Sequence, residues 1–339
     1  MGDDDSMTFN DVLEIKNGKN QKAVENPKGT YPIYGSGGVM GYADEYICKA
    51  DTIVIGRKGS INNPIYVDEP FWNVDTAFGL EAKEDVLKPH YLYYFCKKFD
   101  FERLNKAVTI PSLTKSDLLK IEINLPDLDE QQGIIDKLMK IEKIIQYRKD
   151  ELSSLDELIK ARFVEMFYEK GYPVLKWNDV FTTTTGKLDS NASDEKGTYP
   201  FFTCSKEVLR IDTFAFDQEA LLLAGNNAAG KYDVKYYNGK FNAYQRTYVL
   251  SLKENWSYRL FQYQLEDKLE YLKQQSLGGL TKYLTLKILG ELKFVIPPKE
   301  LQSEFETFVE QVDKSKSAIE KELKKTQLLF DSLMQKYFG

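Results

Sequence analysis

Two groups of polar residues occupy matching turns in the two halves of this 339-residue chain. Both groups are rich in Arg, Lys and Asn, whose side chains can hydrogen-bond the edges of guanine and adenine in a major groove or bind phosphates. The candidate binding residues are Arg57, Lys58, Asn62 and Asn63 in the first half, and Asn226, Asn227, Lys231, Tyr232, Asn242, Gln245 and Arg246 in the second. The alternative for any single residue is an ordinary solvated turn, so the prediction depends on the correspondence between the groups.

Two short stretches carry patterns that are typical of enzymes. Residues 225–231 (GNNAAGK) fit G-x4-G-K, but Tyr232 follows where a phosphate-binding loop needs Ser or Thr. Residues 233–237 predict a strand, whereas the loop needs a helix there. We therefore predict a glycine-rich hairpin turn. Residues 63–66 (NPIY) resemble the Asn-Pro-Pro-Tyr signature of amino-methyltransferases, but they lack its second proline and a glycine-rich cofactor loop.

The remaining residue types predict no catalytic residue, no cofactor and no metal site. His90 is the single histidine, and Cys48, Cys96 and Cys204 lie far apart, which argues against a His/Cys ligand set and against a disulfide framework. The sequence has neither an apolar run long enough to span a membrane nor a secretory signal. We expect a non-catalytic, cytoplasmic protein without a membrane partner.

The charge distribution restricts how such a protein could bind nucleic acid. A net charge of −6 argues against binding by bulk electrostatics. Residues 7–126 carry 15 basic and 16 acidic groups, and residues 171–296 carry 16 and 14. Both segments are close to neutral, which is compatible with a local basic face but does not by itself predict one.

Two long helices are expected to position the polar groups. Apolar residues between 129 and 169 recur at alternating steps of four and three, which is the heptad pattern of a coiled coil. A second row begins at Phe305, and each of its positions follows its counterpart by 171 residues, as Phe305 follows Ile134. The predicted seam is Ile134, Leu138, Ile141, Ile145, Leu152, Leu155 and Ile159 in the first helix, and Phe305, Val309, Val312, Ile319, Leu323, Phe330 and Leu333 in the second.

The globular segments before the helices also repeat. Residues 9–12 (FNDV) recur as 177–180 (WNDV), and residues 29–34 (GTYPIY) recur as 197–202 (GTYPFF), both at an offset of 168. The LTK sequence beginning at Leu113 matches the one beginning at Leu280. The predicted parts are globular domains at 1–126 and 171–297, and helices at 127–170 and 298–339.

Each globular segment predicts an α+β domain, a curved sheet with a helix against it. Short β-branched and aromatic runs between Gly, Asn and Pro clusters predict strands, and aromatics and leucines at helical spacing predict helices. The predicted strands are 52–55, 65–67 and 76–80, then 220–224, 234–237 and 247–252, and the predicted helices are 90–105 and 257–275.

Several motifs together resemble the DNA-specificity subunit of type I restriction-modification systems. Residues 111–118 (PSLTKSDL) and then residues 126–132 (PDLDEQQ) are similar to the family's junction between a target-recognition domain and a spacer helix. Residues 177–180 with Gly186-Lys187 are similar to the start of a recognition domain. The second junction, 297–302 (PPKELQ), lacks the Glu-Gln pair, and the chain is short for the family.

The resemblance implies two target-recognition domains held apart by an antiparallel pair of spacer helices. Each domain would recognise one half of a bipartite site in double-stranded DNA. Two methyltransferase subunits would dock on the assembly, and motor-nuclease subunits would join for cleavage. One alternative is a non-catalytic coiled-coil adaptor whose two modules bind protein or glycan ligands. A further alternative is a nucleic-acid enzyme that uses one of the rejected motifs.

Overall fold

The computed structural model describes residues 6–105, 110–228 and 230–339. The helices of this part are α1 Phe9–Val12, α2 Pro89–Lys98, α3 Lys115–Leu118, α4 Leu128–Phe167, α5 Trp177–Val180, α6 Tyr258–Glu266, α7 Leu269–Gln275, α8 Leu286–Gly290 and α9 Lys299–Phe338. The strands are β1 Ser6–Thr8, β2 Leu13–Asn17, β3 Tyr31–Gly35, β4 Gly38–Ala43, β5 Thr52–Gly56, β6 Ile65–Val67, β7 Trp72–Asn73, β8 Ala77–Ala82, β9 Glu122–Asn124, β10 Val174–Lys176, β11 Phe181–Thr185, β12 Tyr199–Phe202, β13 Leu209–Ile211, β14 Phe216–Ala224, β15 Asn226–Asn227, β16 Val234–Ala243, β17 Thr247–Leu252, β18 Lys282–Tyr283 and β19 Lys293–Val295. The chain forms two compact units, unit 1 of residues 1–150 and 320–339, and unit 2 of residues 151–319.

Unit 1 is built on an antiparallel sheet with the strand order β2-β8-β5-β6. Successive side chains of a strand point to opposite faces, and β5 is buried along its whole length. Ile53 and Ile55 therefore pack into one core with α2, whereas Val54 packs into a second core with Ile33 of β3 and Trp72 of β7. The fully buried β-branched run that predicted this strand thus separates two apolar layers.

Unit 2 repeats this arrangement in a sheet with the order β11-β17-β14-β16-β12-β13. Leu221 and Leu223 of β14 pack into a core with Phe261 of α6, and Leu222 packs on the other side with Phe241. Each leucine stands 168 positions after its counterpart in β5. The repeat seen in the sequence is therefore a repeat of the same two-core sheet.

The two long helices contain 40 residues each, about 60 Å at 1.5 Å per residue. In unit 1, Leu138 of α4 shares a core with Phe330 and Met334 near the end of α9. In unit 2, Ile159 from the second half of α4 packs with Phe305 near the start of α9. The helices therefore run antiparallel within each unit, and every predicted seam residue is buried or half-buried.

Polar residues interrupt the seam in unit 2 and form ion pairs between the helices. Arg162 Nη2 lies 2.5 Å from Glu304 Oε1, and Lys316 Nζ lies 2.6 Å from Asp156 Oδ1. Exposed ion pairs contribute at most about 1 kcal/mol. The apolar seam residues therefore supply most of the free energy that holds α4 against α9.

The predicted fold class, α+β with two similar domains and two long helices, is confirmed. The helices predicted at 127–170 and 298–339 are observed as α4 and α9. The predicted helix at 90–105 ends at Lys98 and continues as a 3-10 turn, and the one at 257–275 is divided into α6 and α7. The domain limits stay a prediction, because the two compact units divide each long helix between them.

One detail of the predicted repeat is wrong. Leu113 N donates to Arg57 O at 2.9 Å, and the equivalent bond in unit 2 runs from Leu284 N to Gly225 O at 2.8 Å. Thr114 and Thr285 then cap α3 and α8 through their side chains. Leu113 thus corresponds to Leu284 and not to Leu280. The offset between the halves therefore changes from 168 at Gly225 to 171 at Leu284, so the second half has a net insertion of three residues before Leu284.

Candidate nucleic-acid interface

Several of the predicted binding residues lie close to the ends of β5 and β14. In unit 1, Arg57 N donates to Thr76 O at 2.8 Å. In unit 2, Gly225 N donates to Arg246 O at 2.9 Å. We call residues 56–58, 75–76 and 111–113 the loop end of unit 1, and residues 225–227, 245–246 and 282–284 the loop end of unit 2. Each loop end joins three segments that are distant in sequence.

Arg57 and Lys58 are exposed at the loop end of unit 1. Arg57 Nη1 lies 3.5 Å from Asp75 O, and its guanidinium carbon lies 5.8 Å from the ring centroid of Phe78. Lys58 forms a backbone bridge with Ser112. The two cations therefore stand on a fixed backbone with their charged ends in solvent.

Asn63 belongs to the same surface through the turn between β3 and β4. Its Nδ2 donates to Ser36 O at 3.4 Å. Ser36 also lies against β5, because a Cβ placed on Gly56 would stand 3.0 Å from Ser36 Cβ. One weak hydrogen bond leaves the exposed amide of Asn63 free to bind a ligand.

The loop end of unit 2 carries three side-chain amides and two cations, with Lys231 close to it in sequence. Asn226 and Asn227 form β15, which pairs with Tyr283 and Lys282 of β18. Lys231 is exposed, and its backbone N–H donates to Asn227 Oδ1 at 3.2 Å. Gln245 and Arg246 are also exposed, and Gln245 Nε2 lies 3.4 Å from Asp189 Oδ2. Lys282 was not among the predicted residues, because its pairing partner Asn227 lies 55 positions away in sequence.

Each loop end presents one arginine, and both arginines belong to equivalent backbone hydrogen bonds, one in each unit. In unit 1 the arginine is the donor residue, Arg57, and its acceptor is Thr76. In unit 2 the arginine is the acceptor residue, Arg246. A Cβ on Gly225 would lie 2.3 Å from Arg246 O, so no side chain fits at the donor position there. Each unit thus has an arginine at this backbone pair, as the donor residue in unit 1 and as the acceptor residue in unit 2.

Three predicted residues have structural roles instead. Tyr232 and Asn242 are only 7% and 4% exposed. Burial raises the pKa of Tyr232, and the Asn242 amide donates to Thr213 Oγ1 at 3.3 Å. Asn62 is exposed, but its Oδ1 accepts from Phe101 N at 2.7 Å and its Nδ2 donates to Asp100 at 2.8 Å. The bonded partners of Asn62 and Asn242 lie about 30–40 positions away in sequence, beyond any local pattern, and the burial of Tyr232 likewise follows from tertiary packing.

The structural role of Asn62 leads to a stability prediction. Asn62→Ala is expected to lower the free energy of unfolding of unit 1 by about 1–3 kcal/mol, because the buried Phe101 N–H loses its acceptor. The matched control, Asn63→Ala, removes one long exposed hydrogen bond and should change it by less than about 0.5 kcal/mol. Urea unfolding of both variants measures the difference, and equal losses would contradict this role.

The loop end of unit 1 holds the cations Arg57 and Lys58 together with the exposed carboxylate of Asp75, and the loop end of unit 2 holds Arg246 and Lys282. Tyr248 donates its hydroxyl to Leu284 O at 3.0 Å, and burial raises the pKa of Tyr248, so this phenol is neutral at neutral pH. Within residues 6–105, 110–228 and 230–339 no three His, Cys, Asp or Glu side chains form a group that could hold a metal ion. In the same part of the chain no helix has the length and apolar character needed to cross a membrane.

Two similar modules with polar, cationic loop ends define the class of a two-module recognition protein. A family model described as "Type I restriction modification DNA specificity domain" matches residues 2–156 and again residues 169–328. The chain therefore belongs to the type I restriction-modification DNA-specificity family.

Individual relatives agree with this assignment. The chain is 35% identical over 156 residues to the type I restriction enzyme EcoDI specificity subunit of Escherichia coli, a match that covers 44% of this chain and 34% of that protein. A putative type I specificity subunit of Mycoplasma pneumoniae is 27% identical over 214 residues, 59% of this chain and 78% of that protein. The chain thus matches only about a third of the length of the E. coli relative.

Solved structures share the fold at low sequence identity. An S subunit of a type I restriction-modification system from M. genitalium superposes with a TM-score of 0.68 and 19% identity, over 98% of this chain and 96% of that one. A chain from a structure on complex assembly and conformational transition of the type I R-M system gives 0.56 and 15%, over 98% and 97%. These similarities extend along the chain and describe its fold.

Proposed function

We propose that this chain is the sequence-specific DNA-binding specificity subunit of a type I restriction-modification complex, that it works in the cytoplasm, and that it catalyses no step itself. Target-recognition domains at 1–126 and 171–297 each recognise one half of a bipartite site in double-stranded DNA. The helices at 127–170 and 298–339 set the spacer between the half-sites.

The arginine exchange at the loop ends carries this proposal. Arg binds guanine O6 and N7 with two hydrogen bonds, and Asn does the same for adenine N6 and N7. Arg57 and Arg246 stand at the same backbone pair, and the amides of Asn63 and of Asn226 with Asn227 lie beside them. Because the arginine is the donor residue of the pair in unit 1 and the acceptor residue in unit 2, the two domains are proposed to present different hydrogen-bond patterns. The recognised site is therefore asymmetric.

The long helices are proposed to dock the other subunits. Exposed apolar side chains lie on both helices within unit 1, with Tyr147 of α4 at 59% exposure and Leu328 of α9 at 61%. Exposed apolar side chains of this size favour protein contacts when several occur together. We propose that two methyltransferase subunits bind there and that motor-nuclease subunits join the complex for cleavage.

Single arginine variants should change one half-site each. Arg57→Ala is expected to relax the sequence preference in the half-site of the first domain, and Arg246→Ala that of the second. A bidentate base contact is worth about 1–3 kcal/mol, so each preference should fall roughly 5- to 150-fold. The measurement is the genome-wide methylation motif in cells that make the variant chain with its methyltransferase subunits.

Lys120→Ala and Lys176→Ala are the matched controls, because each removes an exposed positive charge outside the loop ends. Neither should change the motif. A change of both half-sites by one arginine variant would overturn modular recognition. An adaptor for protein or glycan ligands would show no salt-dependent affinity for random duplex DNA, and methyl transfer by the isolated chain would contradict the absence of catalysis.

A further inference from the structure

A short hairpin in unit 2 holds one leucine almost fully in solvent. Leu280 is 94% exposed, the highest value among the large apolar side chains of the described residues. Leu277 and Tyr283 close the hairpin with two backbone hydrogen bonds of 3.1 and 2.9 Å. Gly278 has a φ of +98°, and a Cβ there would lie 2.2 Å from Thr281 O. Two hydrogen bonds therefore close the base of the turn, its backbone conformation requires the glycine at 278, and Leu280 lies at its tip.

The hairpin belongs to the loop end of unit 2. Its second strand contains Lys282 and pairs with the strand of Asn226 and Asn227. The stems of Lys273 and Lys282 meet over Gly230, where an added Cβ would lie 3.1 Å from Lys273 Cγ and 3.5 Å from Lys282 Cγ. With the exposed Lys231, three lysines thus lie around Gly230, beside the strand Lys282–Tyr283 of the hairpin. Lys273 also lies 3.5 Å from Glu270, which leaves a cationic rim overall.

The side chains of this surface are complementary to double-stranded DNA. Phosphates complement the lysine rim, and asparagine amides complement adenine edges in the major groove. The thymine paired with adenine carries its C5 methyl group in the same groove, and aliphatic side chains bind that methyl. The major groove is about 12 Å wide and admits a two-stranded β-ribbon, so it also has room for a short turn closed by one bridge, such as that between Leu277 and Tyr283.

We propose that the hairpin 277–283 enters the major groove and that Leu280 contacts the C5 methyl of a thymine in the half-site of the second domain. This inference rests on the proposed function. It makes Leu280 a specificity-determining residue and requires an A·T pair in that half-site.

The test uses the full chain in complex with its methyltransferase subunits and a duplex that carries the motif found by methylation mapping. Each thymine is replaced in turn by uracil, which lacks only the C5 methyl. We expect one such replacement, in the half-site that Arg246→Ala relaxes, to weaken binding roughly fourfold, the value for one buried methyl-sized group. Leu280→Ala should weaken binding to the thymine duplex by a similar or larger factor and should abolish the sensitivity to uracil.

Val174→Ala is the matched control, because Val174 is an exposed aliphatic residue of unit 2, 53% exposed, in a strand outside the loop end. It should keep both the affinity and the sensitivity to uracil. The inference is overturned if no thymine of that half-site is sensitive, or if Leu280→Ala keeps the full sensitivity. If the unaltered complex binds its motif no better than random duplex, the proposed function itself fails, and this outcome is distinguishable from the other two.

Discussion

Phe305→Ala is expected to lower the free energy of unfolding of unit 2 by about 3–5 kcal/mol. Phe305 is fully buried, and its ring centroid lies 5.5 Å from that of Phe167, 5.7 Å from that of Tyr263 and 5.9 Å from that of Phe163. One side chain thus joins both long helices to α6. Its removal leaves a cavity among rings that cannot collapse without moving a helix.

Native-state hydrogen exchange of the α6 amides measures this effect for unit 2 alone, which matters because a chain of two units does not need to unfold in one step. The matched control is Leu158→Ala, an exposed residue of α4 in the same unit, which should change the free energy by less than about 0.5 kcal/mol. Similar losses for both variants would show that Phe305 does not join the helices.

Gln131→Leu is the second variant with a large expected effect. Gln131 is fully buried, its Oε1 accepts from Lys88 N at 2.9 Å, and its Nε2 donates to Val86 O and Pro126 O at 2.9 Å each. Leucine fills a similar volume but leaves these groups without partners. Each buried polar group without a partner costs about 1–3 kcal/mol, and three groups lose theirs, so we expect a loss of at least roughly 3 kcal/mol in unit 1.

Gln302 makes the corresponding bonds in unit 2. Its Oε1 accepts from Ser257 N at 3.0 Å, and its Nε2 donates to Pro297 O at 2.8 Å. Lys88 and Ser257 are the N-caps of α2 and α6, so each glutamine joins the start of a domain helix to the start of a long helix. Gln302→Leu should therefore reduce amide protection in α6, as Gln131→Leu does in α2.

The exposed neighbour of Gln131 provides the control. Gln132 donates only to Asp136 one turn further along α4, at 2.8 Å. Gln132→Leu should leave the stability of unit 1 within about 0.5 kcal/mol of the original. Equal effects of the two substitutions in thermal unfolding would exclude the joining role of Gln131.

The periodic elements of this protein could be predicted from its sequence. The heptad rows from Ile134 and from Phe305 specify which face of each long helix is buried, because only one face can be apolar at that spacing. The run at 52–55 predicts a fully buried strand for the same kind of reason, since a strand covered on both faces needs apolar residues at every position. The internal repeat then predicts two similar domains.

The set of surface side chains at the loop ends was decided by the tertiary structure. Asn62 and Asn63 are adjacent and chemically identical. The Asn62 side chain is hydrogen-bonded to Phe101 N and to Asp100, whereas the Asn63 side chain makes a single weak hydrogen bond. Their difference depends on a segment almost 40 positions away. The local sequence does not identify such a partner, because residues in a loop lack the regular spacing that determines which way a side chain points in a helix or strand.

The exchange between Arg57 and Arg246 shows the same limit at the level of the repeat. Alignment by a constant offset pairs Arg57 with Gly225 and indicates a lost arginine. The backbone bonds show that the arginine of unit 2 is the acceptor residue of the equivalent pair, while the donor position holds Gly225, where an added Cβ would lie 2.3 Å from Arg246 O. The long helices, the buried strand and the repeated domains could be predicted from the sequence, since their burial follows from the order of apolar residues along the chain. Only the tertiary structure decided which polar groups meet at each loop end, because those contacts join segments whose separation in sequence is arbitrary.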